Sequence, residues 1–261
     1  MIKIIDLYDK KEKRFKLTQF PDKTTQAWQI KDFYNLSENI EVLWKYENDS
    51  EFMIILQLGT LLSQNKSRLV RLLCPYLPYG RQDKEINNNT TFGKEVMINA
   101  LKNAGYKYMT TFDAHSYHPF IFSENPSYFF ETIYNHDYIC VPDKGAYNRY
   151  LDIIKINLEC VNILTGEKVR NQLTGQIEGI KIIENIDLST KSVLVIDDLC
   201  DGGGTFIKLA KELKRLNCNN FDLAVSHGIF SKGKDILYDA GYNNIYTTNS
   251  LLSNTEEFRI F

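Results

Sequence analysis

The sequence predicts an α/β fold in which mainly parallel sheets are flanked by helices. Short β-rich runs alternate with segments of helical periodicity along most of the chain. The apolar fraction of 43% is enough for a real core. An acidic, glycine-rich turn also lies between a buried strand and an amphipathic helix, which is typical of a strand-to-helix crossing in a parallel sheet. The length of 261 residues allows one large domain or two modest ones.

The first half contains two predicted helices and two predicted strands. Residues 51–63 (EFMIILQLGTLLS) have helical character, and residues 68–73 (RLVRLL) form a strand. Residues 94–103 carry apolar side chains at helical spacing, and Gly105 follows as a stop. Residues 108–112 are rich in β-formers. The order is therefore helix, strand, helix, strand.

The second half repeats this alternation. Strands are predicted at residues 138–141, 192–196, 221–226 and 244–248, and a helix at residues 206–216.

A break near residues 122–127 (FSENPS) is the best candidate for a domain boundary. The sequence therefore predicts an N-terminal domain over residues 1–125 and a C-terminal domain over residues 126–261.

Composition excludes several classes of function. The formal net charge is −2, which gives no reason to expect nucleic acid or an anionic membrane as a partner. No apolar run approaches the ~18 residues of a membrane-spanning helix. The N-terminal stretch MIKIIDLYDKKEKRF is apolar and then basic, the wrong order for a secretory signal. Five scattered cysteines without a C-x-x-C pair indicate reduced thiols in a cytoplasmic protein.

Residues 195–206 (VIDDLCDGGGTF) are the strongest candidate for a binding site. Consecutive glycines let the backbone amides point inward, and the following helix N-terminus adds partial positive charge, so this turn is suited to a phosphate. Asp197 and Asp198 are suited to sugar hydroxyls or to a hydrated Mg²⁺. The sequence therefore predicts a sugar-phosphate site made of Asp197, Asp198, Asp201, Gly202, Gly203, Gly204 and Thr205.

The alternative is a glycine-rich turn with solvated acids, which the strand, paired acids and helix in register disfavour. The chain has neither the G-x-x-x-x-G-K-[ST] pattern of a P-loop nor a G-x-G-x-x-G dinucleotide loop here.

The stretch VIDDLCDGGGT resembles the phosphoribosyl-diphosphate loop of phosphoribosyltransferases and ribose-phosphate pyrophosphokinases. Further stretches resemble the pyrophosphokinases alone: CPYLPYGRQDKE (74–85), TFDAHS (111–116), VPDKGAYNR (141–149), SHGIFS (226–231) and TTN (247–249). These motifs occur in the order found in that family.

The resemblance implies two tandem phosphoribosyltransferase-like domains, with ATP on the N-terminal side and the ribose phosphate on the C-terminal side. It implies transfer of the β,γ-pyrophosphoryl group of Mg-ATP to the anomeric hydroxyl of a ribose 5-phosphate moiety, with release of AMP. Mg²⁺ is the implied cofactor and ATP the co-substrate. A homo-oligomer of two or more subunits is also implied, because a neighbouring subunit completes the ATP site in this family.

The resemblance also assigns roles to particular residues. It implies catalytic roles for Lys168, Arg170 and His115, ATP contacts for Phe20, Asp22, Arg81, Gln82 and His115, and Mg²⁺ contacts for His115 and Asp143. The stretch 167–170 looks loop-like, and two cations two residues apart on an extended segment point the same way. The alternatives are a surface arginine at Arg81, a turn aspartate at Asp143 and a solvated basic face at Lys168.

Two departures from the family pattern bear on the substrates. Gly202 stands where the family loop has serine or threonine, so a hydroxyl that grips a terminal 5-phosphate is missing and space is opened. The adenine-contacting segment ends in Thr24 instead of an acid. The first departure favours an esterified phosphate, as in ADP-ribose, the acceptor of phage-encoded ADP-ribose pyrophosphate synthetases that rebuild NAD. Ribose 5-phosphate is the alternative acceptor.

Two other functions remain as alternatives. A phosphoribosyltransferase would share the acidic glycine turn but would have no use for the PYGRQD and TFDAHS stretches. A non-catalytic regulatory homologue would keep the fold and lose the catalytic cations, whereas Lys168 and Arg170 are both present.

Overall fold

The computed structural model describes residues 1–85, 87, 89–124, 135–157, 162–170, 177–251 and 259–260. The chain divides into two compact units, Met1–Glu124 and Asn125–Phe261. Each unit has its own mostly parallel sheet with helices packed against it, so the predicted α/β class is confirmed. No helix in the described part of the chain is long and apolar enough to span a membrane.

The first unit is built on a six-stranded sheet of order β2-β1-β5-β6-β7-β8, in which β5 to β8 run parallel and β1 runs antiparallel to both neighbours. A separate hairpin is formed by β3 and β4. The strands are β1 (Ile2–Asp6), β2 (Lys11–Lys13), β3 (Lys16–Gln19), β4 (Thr25–Trp28), β5 (Asn39–Trp44), β6 (Leu69–Leu73), β7 (Tyr108–Phe112) and β8 (Ile121–Glu124). The α-helices are α1 (Ser50–Leu62) and α2 (Gly93–Asn103).

The second unit is built on a seven-stranded sheet of order β11-β10-β9-β12-β13-β14-β15, parallel except for β11. Its strands are β9 (Tyr138–Val141), β10 (Asn162–Arg170), β11 (Ile177–Ile182), β12 (Ser192–Cys200), β13 (Asn220–Gly228), β14 (Ile245–Thr247) and β15 (Arg259–Ile260). Its helices are α3 (Lys144–Asn157), α4 (Gly204–Arg215) and α5 (Asp235–Ala240).

The packing of α4 fixes the turn that precedes it. Phe206, Leu209, Ala210 and Leu213 recur at helical spacing and are buried in the same apolar cluster as strand residues of β12 and β13. Each large apolar side chain buried in this way contributes about 1.5–3 kcal/mol to folding. The N-terminus of α4 is therefore held at the carboxyl end of β12.

Two segments differ from their prediction. The strand predicted at residues 192–196 continues to Cys200, because its parallel pairing with β13 extends through Cys200↔Gly228. The stretch 167–170, predicted to be loop-like, is the end of β10, where antiparallel pairing with β11 keeps it extended. In both cases pairing with another strand keeps the segment extended, which local turn propensity does not reveal. The partner of β12 lies about 28 residues along the chain, whereas the partner of β10 is the next strand.

Candidate functional site

The glycine turn joins β12 to α4 at the carboxyl end of the second sheet. Gly203 has φ of +70°, and a Cβ there would lie 3.1 Å from Ile236 Cδ1 and 3.2 Å from Leu237 Cδ2, so both backbone and space require glycine. A Cβ on Gly204 would meet nothing within 4 Å. The space beside Gly204 is therefore open, and the N-cap Gly203 makes no side-chain hydrogen bond to the first turn of α4, as an anion-binding helix N-terminus requires.

The two acids at the end of β12 have different surroundings. Asp198 is buried, and its Oδ1 lies 2.8 Å from Arg149 Nη1 on α3. Asp197 Oδ1 accepts the backbone N–H of Asp198 at 2.9 Å. Burial and the adjacent Asp198 charge raise the pKa of Asp197 well above its ordinary value. Asp198 is thus neutralised by a cation, while Asp197 is biased towards its protonated form.

The segment after β13 is bonded to the glycine turn. Ser231 Oγ donates to Asp201 Oδ1 at 2.6 Å, and the backbone N–H groups of Ile229 and Phe230 donate to Cys200 O at 2.8 and 3.1 Å. A Cβ on Gly202 would make ordinary contact with the side chain of the neighbouring Lys232. Thr205 lies in the first turn of α4. The predicted residues from Asp197 to Thr205 thus form one continuous strand end, turn and helix start.

A second group of predicted residues meets at the N-terminus of α3. Asp143 Oδ1 accepts the backbone N–H of Ala146 at 3.0 Å and so caps the helix, while its Oδ2 accepts from Lys168 Nζ at 2.5 Å. Burial raises the pKa of Asp143, but the bonds from Lys168 and the α3 backbone outweigh it and hold that pKa below its ordinary value. Both side chains keep 30% of their surface exposed.

A cavity of about 390 Å³ adjoins this pair in the second unit, and Tyr147 and Thr165 are among its lining residues. Gly166 allows β10 to approach the β9 end closely, because a Cβ there would lie 2.5 Å from Pro142 O. Arg170 belongs to β10, but its side chain lies outside the described residues, and its role stays a prediction.

Three of the predicted ATP residues, Arg81, Gln82 and His115, lie in segments that are bonded to the start of α2. Arg81 and Gln82 line a cavity of about 420 Å³. Gln82 O accepts the backbone N–H of Lys94 at 3.2 Å, and Lys94 Nζ donates to Ser116 Oγ at 2.6 Å. His115, next to Ser116, is exposed at the carboxyl end of the sheet. Lys94 thus links the segment of Gln82 to the segment of His115.

The remaining predicted ATP contacts, Phe20 and Asp22, lie at the tip of the β3–β4 hairpin. Asp22 Oδ1 accepts the backbone N–H of Thr24 at 3.0 Å and its hydroxyl at 2.7 Å, which closes the turn. Phe20 keeps 45% of its surface exposed. The hairpin tip therefore presents an aromatic ring outward.

The predicted Mg²⁺ contacts are divided between the units, with His115 in the first and Asp143 in the second. Within the described ranges, no group of three or more His, Cys, Asp and Glu side chains is arranged to hold a metal ion.

Three residues of these clusters were missed by sequence reasoning. Arg149 closes the VPDKGAYNR stretch and Ser231 closes SHGIFS, so both stood inside quoted motifs without an assigned partner. Lys94 begins a helix defined by its apolar spacing, and nothing local shows that it is 2% exposed. A lysine so deeply buried must make polar contacts, and this one contacts Ser116.

Comparison with known proteins finds relatives that share one name. The ribose-phosphate pyrophosphokinase of Pyrococcus furiosus is 30% identical over 221 residues, 79% of this chain and 76% of that protein. The ribose-phosphate pyrophosphokinase of Methanobrevibacter smithii is 28% identical over 224 residues, 79% of this chain and 75% of that protein. No protein-family model matches.

A solved structure shares the fold. The phosphoribosylpyrophosphate synthetase of Mycobacterium smegmatis aligns with a TM-score of 0.77 at 16% identity, over 97% of this chain and 87% of that one. The motifs, the fold and the relatives together show that this chain belongs to the ribose-phosphate pyrophosphokinase family, which is a family of diphosphotransferases.

Proposed function

We propose that this chain transfers the β,γ-diphosphoryl group of Mg-ATP to the anomeric hydroxyl of a ribose 5-phosphate moiety. The observation that carries the proposal is the turn from Asp197 to Thr205, with its open helix N-terminus beside paired acids, in a chain of this family. Few ligands other than a sugar phosphate need both backbone amides and carboxylates in one turn.

The reaction is a substitution at the β-phosphorus of ATP. The anomeric oxygen forms a bond to the β-phosphorus. The bond between the β-phosphorus and the oxygen that bridges it to the α-phosphate breaks. AMP leaves with the bridging oxygen, and the hydroxyl proton passes to solvent. The protein's contribution is in-line positioning and cations around the β and γ oxygens.

The glycine turn is the proposed binding site of the ribose phosphate. The N-cap Gly203 makes no side-chain hydrogen bond to the first turn of α4, so the amides there can donate to phosphate oxygens. Asp197 and Asp198 bind the ribose hydroxyls, and the raised pKa of Asp197 lets a protonated carboxyl donate as well as accept there. Asp201 lies nearest the anomeric hydroxyl in this proposal.

Lys168 is the proposed cation for the transferred group. Asp143 and Lys168 each keep 30% of their side-chain surface exposed, so solvent and ligands can reach the pair. In this proposal Lys168 turns from Asp143 to the diphosphate, and the Asp143 carboxylate is then free for Mg²⁺. Asp143 would hold Mg²⁺ through one carboxylate, which suits the one or two protein carboxylates that this ion requires, and the ion would neutralise charge on the β and γ oxygens of ATP. Arg170 adds a second cation in the same proposal.

The first unit is the proposed ATP side. Arg81 and Gln82 line its cavity, Gln82 lies beside the N-terminus of α2, and His115 is exposed in the TFDAHS stretch. Phe20 and Asp22 would contact the adenine of a neighbouring subunit, since the hairpin tip points outward. We therefore propose a homo-oligomer, which light scattering of the purified chain tests.

ADP-ribose is the proposed acceptor. The support is Gly202, which removes the side-chain hydroxyl suited to a terminal phosphate. Ribose 5-phosphate is the second candidate, favoured by the names of the relatives in Pyrococcus furiosus and Methanobrevibacter smithii.

Release of AMP from Mg-ATP, measured with each acceptor in turn, tests both the reaction and the acceptor. The proposal expects turnover with ADP-ribose at a kcat/KM at least ~10-fold above that with ribose 5-phosphate. Turnover with ribose 5-phosphate alone would reassign the acceptor and keep the reaction class. No AMP with either acceptor would overturn the function.

A further inference from the structure

The side chain of Lys232 lies against Gly202 in the glycine turn. A Cβ built on Gly202 is 3.5 Å from Lys232 Cε, 3.6 Å from its Cδ and 3.8 Å from its Cγ. The aliphatic stem of Lys232 thus borders the position where other loops of the family carry a hydroxyl. In the part of the chain that the structure describes, no carboxylate lies within ion-pair distance of Lys232 Nζ.

Lys232 is held at this position by its neighbours in the chain. Ser231 donates to Asp201 in the glycine turn at 2.6 Å, and the N–H of Phe230 donates to Cys200 O at 3.1 Å. The N–H of Gly233 donates to Phe230 O at 2.8 Å and closes the turn that carries Lys232. Lys232 is exposed, but the residues before it are bonded to the glycine turn, and Gly233 after it closes a local turn with Phe230.

The chemistry of the acceptor phosphate relates the missing hydroxyl at Gly202 to the ammonium group of Lys232. A phosphate monoester presents three terminal oxygens, whereas each phosphate of an esterified diphosphate presents two. An esterified 5-phosphate therefore needs one donor fewer in the loop, as Gly202 provides. One negative charge then lies on each of the two phosphates, so a cation is needed beside the second phosphate. An ammonium group with no carboxylate partner suits that charge.

We infer that Lys232 is an acceptor-specificity residue, whose ammonium group binds the second phosphate of a ribose attached through a diphosphate. The inference rests on the proposed function, because it identifies the substrate class of the same site. Gly202 and Lys232 act as a pair: the glycine removes a donor for the first phosphate, and the lysine adds one for the second.

Direct binding and turnover test the inference together. Calorimetry with ADP-ribose and with ribose 5-phosphate, without ATP, compares the wild type with Lys232→Ala, Gly202→Ser and the double variant. Lys211→Ala, which removes an exposed lysine from α4, is the matched control and should change neither affinity by more than ~2-fold. A Ser side chain fits at position 202, since the added Cβ makes only ordinary contacts.

Lys232→Ala should weaken ADP-ribose binding by about 10-fold or more, as the loss of a charge-assisted hydrogen bond does. Its effect on ribose 5-phosphate should stay below ~3-fold, and the double variant should favour ribose 5-phosphate over ADP-ribose. If the wild type uses ADP-ribose and Lys232→Ala binds it unchanged, or if both acceptors weaken equally, the role of Lys232 is wrong while the proposed function stands. If the wild type neither binds nor uses ADP-ribose, the proposed acceptor fails and this inference fails with it.

Discussion

At the scale of single residues, the site depends on a few side chains whose partners are close and specific. Lys168 contacts Asp143, and Arg149 contacts Asp198, so these two cations are paired with acids of predicted function. The acids and Lys168 could be predicted from the sequence because they lie in motifs. The contact between Lys168 and Asp143 could not, because it joins β10 to the N-terminus of α3 across 25 residues of chain.

Lys168→Ala should lower kcat by at least ~100-fold, because a cation aimed at the transferred group is lost. The acceptor's KM should change less, since the glycine turn is untouched. Steady-state AMP release measures both values. Lys191→Ala is the matched control: it breaks an exposed ion pair with Asp137, at 3.3 Å, and should keep activity within ~2-fold. Activity of Lys168→Ala within ~3-fold of the wild type would remove this residue from the catalytic assignment.

Adjacent glycines of the turn should respond in opposite ways to alanine. Gly203→Ala should destabilise the protein by about 1–2 kcal/mol, because φ of +70° is unfavourable for any residue with a Cβ. Gly204→Ala should leave stability unchanged or raise it by up to about 1 kcal/mol, since alanine favours the helix that begins there. It should nevertheless abolish acceptor binding, because the methyl group fills the space proposed for phosphate.

Thermal unfolding and calorimetry with the acceptor separate these two effects. Normal acceptor binding by a folded Gly204→Ala variant would show that the phosphate lies elsewhere.

At the scale of helices and strands, local sequence patterns predict the amphipathic elements. The helix at 206–216 was predicted from apolar spacing and observed as α4, Gly204–Arg215. The end of β12 was predicted to be a turn, because acids and glycines favour turns locally. Its pairing with β13 overrides that preference up to Cys200, and this pairing partner is distant in sequence.

The close approach of β10 to the turn after β9 should depend on Gly166. Gly166→Ala would bring a Cβ to 2.5 Å from Pro142 O and 2.9 Å from Ile180 Cγ2, so β10 must shift and Lys168 with it. We expect a loss of about 1–3 kcal/mol in unfolding free energy and a lower kcat. Gly179→Ala, on the neighbouring strand, is the control, because its Cβ would lie 4.0 Å from Val169 Cβ. Equal behaviour of the two variants in urea unfolding and turnover would contradict this account.

Asp222 connects β13 and β14 to the segment before β9. Its Oδ1 accepts the backbone N–H of Asn244 at 3.0 Å, and its Oδ2 lies 3.2 Å from His136 Nε2. Burial raises the pKa of Asp222, but the bonds from His136 and Asn244 outweigh it and leave that pKa below its ordinary value. The ionised form therefore stabilises the fold above the unfolded pKa of about 3.9, and this stabilisation is lost as pH falls through the lower folded pKa.

Asp222→Asn should consequently lower the free energy of unfolding by about 1–3 kcal/mol between pH 6 and 8, with a smaller difference from the wild type below about pH 4. Urea unfolding at pH 7 and at pH 3 measures both differences. Asp239→Asn, an exposed substitution on α5, should have little effect at either pH. A difference that stayed constant or grew in acid would show that the charge of Asp222 is not what stabilises this edge of the sheet.

At the scale of the whole molecule, two units share one plan. Each has a mostly parallel sheet with one or more antiparallel strands at one end, and each carries predicted phosphate-binding residues next to a helix N-terminus. The order of motifs along the chain was enough to predict this plan and the family. The strand order at the first edge was not predictable, because β1 pairs antiparallel with β5 more than 30 residues later and lacks a motif.

The central claim is that an intact diphosphoryl group moves from ATP to the anomeric oxygen of a ribosyl phosphate. ³¹P nuclear magnetic resonance of the chain with Mg-ATP and ADP-ribose or ribose 5-phosphate tests it most directly. The account predicts AMP together with a new coupled pair of phosphorus signals, one of them coupled to the anomeric proton. ADP as the nucleotide product, or free diphosphate with an unmodified acceptor, would contradict it.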